Sequence, residues 1–108
     1  MDFKKSLGKV KGVKLDWEVN LNDIISRNNK IEDTDLDGEK VMMNLDKGQY
    51  FMMNEVGSRI WDIVEESKSV EEIVQALLNE YEVEKEQCES TVVEFLGRLN
   101  KADLISVK

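Results

Sequence analysis

A chain of 108 residues, 41% hydrophobic and 35% charged, holds enough apolar material for one modest core and is too short for two. That balance excludes a disordered chain, and no apolar run approaches the ~18 residues of a membrane span. The net charge of −8 is unevenly spread: residues 1–15 carry five lysines against Asp2, a local +4, which leaves −12 on the remainder. An acidic body repels nucleic-acid phosphates and suits a peptide or partner carrying positive charge.

The first 20 residues read as a basic N-terminal tail, with residues 21–108 forming one domain. No signal-peptide segment follows the N-terminal lysines. Leu7, Val10, Val13 and Leu15 are spaced among those lysines. Either the tail is a disordered end, or it docks on the acidic body or in an empty groove. The segment "VNLNDIIS" has the composition of a short strand.

Two hairpins come next in "KIEDTDLDGEKVMMNLDKGQYFMMN". Asp37-Gly38 is a two-residue turn signal, because both central positions need positive φ. Asp46-Lys47-Gly48 is a three-residue loop with glycine at the left-handed position. Three antiparallel strands are therefore expected at about 30–36, 39–45 and 49–53. Val41, Met43 and Leu45 share one face, and Tyr50 and Met52 alternate with Phe51 and Met53.

Asn54 caps a helix over 55–66 whose apolar face is Val56, Ile60, Trp61, Ile63 and Val64. Ser69 and Glu72 have capping-box spacing, opening a helix that presents Val70, Ile73, Val74, Leu77, Leu78 and Tyr81. A third helix spans about 84–101, with Cys88, Val92, Phe95, Leu96 and Leu99 on one stripe. "LISVK" closes the chain as a short strand. Strands first and helices second make an α+β fold: a small three-stranded antiparallel sheet followed by three helices, like a winged helix-turn-helix.

The chain contains no histidine, the commonest acid–base group and metal ligand. Its one cysteine excludes an internal disulfide, suits a reducing cytoplasm and cannot build the usual structural zinc site. Cys88 sits on an apolar helix face without an activating base, which marks a buried structural thiol. The carboxylates of "EDTDLDGE" lack the ligand order of a calcium loop and read as a solvated strand flanking a turn. No phosphate-cradling glycine pattern is present. Catalysis, metal and cofactor all lack a residue set, so an enzyme is not expected.

The run "LDKGQYFMMNEVGSRIW", followed by "SVEEIV" and "VVEFLGRLNKADLI", closely resembles the PqqD family, and within it the stand-alone leader-binding proteins of lasso-peptide clusters. The resemblance covers about residues 21–107. It implies a non-catalytic recognition element, or peptide chaperone, of ribosomal peptide biosynthesis. Such a protein binds the leader segment of a precursor peptide and presents it to a separate modifying enzyme or leader protease. The family's leader adds as a strand beside the third strand, in a groove closed by the third helix.

Carried onto this chain, the resemblance implies a peptide site at Gln49, Tyr50, Phe51, Met52 and Met53 of the strand. Glu89, Val93, Leu96 and Gly97 of the third helix complete it. Tyr50, Met52 and Val93 are expected to line the groove, while a register slip of one would exchange Tyr50 and Met52 for Phe51 and Met53. Methionines suit a groove that accepts varied side chains. Core packing alone is the plain alternative for the same residues. Gly57 and Gly97, both inside helices, suggest close approach by another element. No nucleic acid or membrane partner is expected, whereas an exposed apolar edge permits a homodimer. A DNA-binding winged helix or a scaffold remains the alternative. The third helix is richer in glutamate than in basic residues, which opposes insertion into a major groove.

Overall fold

A computed structural model describes residues 19–37 and 39–108. The basic tail and Gly38 of the first hairpin turn lie outside the described residues. The elements are β1 (Ile24–Arg27), β2 (Ile31–Leu36), β3 (Glu39–Asn44), β4 (Gln49–Met52), α1 (Glu55–Ile63), β5 (Lys68–Ser69), α2 (Val70–Glu80), α3 (Lys85–Lys101) and β6 (Ile105–Val107). This is the expected α+β order, and β1 falls within "VNLNDIIS".

Two small antiparallel sheets result. The wing sheet has the order β2-β3-β4, with Thr34 opposite Val41 and Met42 opposite Phe51. Its turns have the chemistry their residues require: Asp37 sits at φ +54 and Gly48 at φ +64, in the left-handed region. The other sheet, β5-β1-β6, was not expected as a unit. It joins Ile24 to Ser69 and Ile25 to Val107, drawing the chain's last strand beside its first.

The helix ends follow their sequence signals. The Asn54 side chain accepts from the Gly57 N–H at 2.9 Å and starts α1. At α2 both capping-box bonds form: Glu72 N–H donates to Ser69 Oγ at 3.1 Å, and Ser69 N–H to Glu72 Oε1 at 2.9 Å. Two further amides at that helix start, on Val70 and Glu71, donate to the carbonyls of Asp23 and Leu21. The N-terminal segment thus serves as part of the cap of α2.

The core lies between the three helices and the two sheets. Trp61, Ile60, Ile73, Leu77, Leu96, Leu104, Ile25 and Met42 are all essentially inaccessible to solvent. The predicted helical stripes supply most of this core, with Ile63, Leu78, Tyr81 and Phe95 half-buried at its margin. On β3 the buried face is Met42 and Asn44. Val41 and Met43 lie half-buried on the outer face of the sheet, and Leu45, just past the strand, is exposed.

Wing and body are locked together around Trp61. Its indole N–H donates to Asp33 Oδ2 at 2.8 Å, and the Arg27 guanidinium lies 4.5 Å from the ring centroid. Arg27 Nε also donates to the Trp61 carbonyl at 3.1 Å. Lys40 gathers Asp35 at 2.9 Å, Asp62 at 3.4 Å and Asp33 at 3.9 Å. The hydrogen bond to Asp35 comes first in holding the Lys40 ammonium above its ordinary pKa, against the opposing effect of burial. Two carboxylates of "EDTDLDGE", Asp33 and Asp35, therefore serve as structural partners of a lysine and a tryptophan.

Candidate functional site

Of the wing sheet's two outer strands, only one is open to pairing. β2 carries Glu32, Asp33 and Asp35, and charges along an edge discourage another strand from adding there. β4, "QYFM", carries none. The direction of its backbone groups follows from the ladder. Met53 N–H donates to Lys40 O at 2.8 Å, so Met53 forms a hydrogen-bonded pair with β3. Bonded and non-bonded pairs alternate along an antiparallel ladder. Phe51 and Gln49 therefore also bond inward, while the N–H and C=O groups of Tyr50 and Met52 project from the free edge. Of the expected site residues Gln49–Met53, the register turns the backbone groups of two toward the free edge.

The residues that flank β4 approach α3 and the turn after it at two points. Lys47, just before the strand, forms an ion pair with Asp103, just after the helix. At the other end the Phe95 ring and the Met53 sulfur converge on Gly57. A Cβ placed there would meet Phe95 Cζ at 3.0 Å and Met53 Sδ at 3.3 Å. These two approaches set the chain directions of β4 and α3 opposite to one another. Gly57 is the small residue that admits the aromatic ring between α1 and α3.

The side chains of β4 divide cleanly. Tyr50 and Met52 are 72% and 63% exposed on the outer face, while Phe51 is half-buried against the core and Met53 is buried. Gln49 is exposed. On α3, Glu89 and Val93 are half-buried, and Leu96 and Gly97 are buried. Of the residues expected to line the groove, Tyr50 and Met52 are exposed, whereas Val93 is half-buried against the core. The inward face of β4 is Phe51 and Met53, with Phe95 nearby, and Tyr50 and Met52 stand on the face turned away. Leu96, at zero exposure, supports α3 from inside the core. Three residues that shape this region had no sequence signal for the role: Phe95, Ser58 and Lys40.

Two other features bear on chemistry. Cys88 is fully buried, and desolvation, with Glu89 nearby, pushes its thiol up to about 11, which keeps it protonated at neutral pH. A polar cleft of about 330 Å³ lies between the β3–β4 turn and β6, lined by Asn28, Lys30, Asn44, Asp46, Lys47, Asp103, Ile105 and Ser106. Its charges pair among themselves, Lys30 with Asp46 at 3.6 Å and Lys47 with Asp103, so it presents little net field. No helix among the described residues is long and apolar enough to cross a membrane.

An α+β domain with one charge-guarded edge and one bare edge flanked by a helix is built to accept an added strand. The chain belongs to the family described as Coenzyme PQQ synthesis protein D (PqqD), which matches residues 39–105. Two solved structures are similar to it. One, "TbiB1 in Complex with the TbiA(beta) Leader Peptide", is 36% identical, with a TM-score of 0.71, and the match covers 75% of this chain and 94% of that one. The other, "Lasso peptide synthetase B1 complexed with the leader peptide", shares the fold at 21% identity and a TM-score of 0.69, covering 76% of this chain and 96% of that one. No curated protein sequence matches the chain.

Proposed function

We propose that this protein captures the leader segment of a ribosomally made precursor peptide as an added strand on β4. It performs no chemistry itself and hands the leader to a separate modifying or leader-cleaving enzyme. The observation that carries this reading is the bare β4 edge, with the Tyr50 and Met52 backbone groups free beside α3. The 36%-identical relative, solved with a leader peptide, supports it. Main-chain pairing gives affinity largely independent of side chain, and the side chains beside the edge select among peptides. The acidic body favours a basic peptide or partner enzyme. The chain lacks histidine and its one thiol is buried and protonated, so an imidazole base and an activated cysteine are both missing.

The test is a titration of the isotopically labelled protein with the TbiA(beta) leader peptide, followed through backbone amide shifts. The Tyr50 and Met52 amides should move most and gain protection from exchange. Shifts confined to the polar cleft, or turnover of a precursor by the purified protein alone, would falsify the reading.

A further inference from the structure

The last rung of the β3–β4 ladder is incomplete in an unusual way. In a hydrogen-bonded antiparallel pair, each residue donates to the other's carbonyl. Met53 N–H does donate to Lys40 O, at 2.8 Å. The return bond is absent: Lys40 N–H donates to the Ser58 hydroxyl at 2.8 Å, and that hydroxyl donates to Met53 O at 3.2 Å. A side-chain oxygen from α1 is thus inserted into the rung. Ser58 is buried, with 5% of its surface exposed, so water does not substitute for it.

The insertion has a geometric consequence. A rung relayed through a hydroxyl is wider than a direct one, so the end of β4 is held away from β3 on one side only. The Lys40 side chain is tied to Asp35, Asp62 and Asp33, so without the hydroxyl it is the end of β4 that would move to close the rung. The Met53 sulfur lies beside Gly57, a contact its flexible side chain can keep as the backbone shifts. The free groups of Tyr50 and Met52 lie within the next three residues of the same strand.

We propose that Ser58 is a positioning residue for peptide capture. Its hydroxyl, wedged between Lys40 N–H and Met53 O, sets the tilt of β4 and so the aim of the two outward-facing backbone pairs. This inference rests on the strand-addition reading above. Ser58 itself touches no peptide.

The experiment uses the full chain with Ser58→Ala and Ser58→Thr and the TbiA(beta) leader peptide as the probe. In Ser58→Ala the rung can close into a direct bond, so the fold should survive while leader affinity falls roughly tenfold, about the worth of one or two lost hydrogen bonds. Ser58→Thr retains the hydroxyl and should recover most of that loss. A purely structural serine would instead lower the melting midpoint without a separate affinity effect. Amide exchange supplies a second readout that does not depend on binding. In the free Ser58→Ala protein the Lys40 amide should stay protected, through its new bond to Met53 O, while the Tyr50 and Met52 shifts move. Wild-type affinity in Ser58→Ala, with leader still shifting the β4 amides, would overturn the inference and leave the reading standing. Failure of the leader to perturb β4 in the wild-type protein would overturn both.

Discussion

Alternation along β4 was legible residue by residue, because a strand's side chains change face at every step. Which face turned inward was not, since "QYFM" is apolar on both sides and the usual polar marker of an outer face is missing. The structure decides it through Met53, which is buried, and Tyr50, which is 72% exposed. Tyr50→Ala should therefore leave the melting midpoint within a few degrees of wild type. Phe51→Ala, which empties a half-buried site on the core, should cost about 2–4 kcal/mol. Denaturant unfolding of both variants checks the assignment, and the reverse order would mean the faces are exchanged. Gly57 was legible as a point of close approach, but its neighbour Phe95, distant in the chain, was not. Alanine at 57 gains up to about 1 kcal/mol of helix propensity and meets Phe95 at 3.0 Å. Overpacking costs about 1–3 kcal/mol, so Gly57→Ala should be less stable by roughly 1 kcal/mol. A higher melting midpoint would show that Phe95 and Met53 yield.

At the scale of elements, the helices were well marked because their caps are local chemistry. Asn54, and Ser69 with Glu72, each act within three residues of themselves. The β5-β1-β6 sheet was not marked, because strands of two to four residues have too little pattern to show a period. Pairing between residue 25 and residue 107 is a product of the core, which brings the chain ends together. α1 and α2 are joined on the surface by Arg59, whose Nε lies 2.7 Å from Glu80 Oε1. That hydrogen bond, more than the charge alone, holds the Glu80 carboxyl below its ordinary 4.5. Bonds to the Ser69 backbone and hydroxyl lower Glu72 in the same way. A carboxyl with a depressed folded pKa binds protons less readily than in the unfolded chain. Its contribution is therefore present above about pH 4.5 and lost as pH falls through the folded value. The melting midpoint should fall as the solution is acidified below pH 4.5, and Glu80→Gln should flatten part of that fall. An unchanged slope in Glu80→Gln would place the acid sensitivity elsewhere.

For the molecule as a whole, the order of elements and the family were legible. The join between wing and body was not, because it depends on polar side chains whose partners are far apart in sequence. Asp33 looked like one of several solvated acids in "EDTDLDGE", yet it accepts the indole N–H of Trp61, a residue 1% exposed at the centre of the core. Arg27 covers the same ring and lies 3.7 Å from Asp33, and Lys40 completes the cluster from β3. The wing's apolar ties to the body are Met42, Ile31, Phe51 and, at the end of β4, Met53, and the polar cluster adds to them in orienting the wing. Removing one partner of a buried hydrogen bond leaves the other unsatisfied, at about 1–3 kcal/mol. Asp33→Ala should therefore destabilise the protein by that amount, and unevenly. Amides of β2 and β3 should exchange faster while those of α2 and α3 keep their protection, because the wing opens as its own cooperative unit. The leader should bind more weakly to Asp33→Ala although residue 33 lies on the far strand of the sheet from β4. Uniform loss of protection across wing and helices would instead show that the two parts unfold as one, with Trp61 serving only as core.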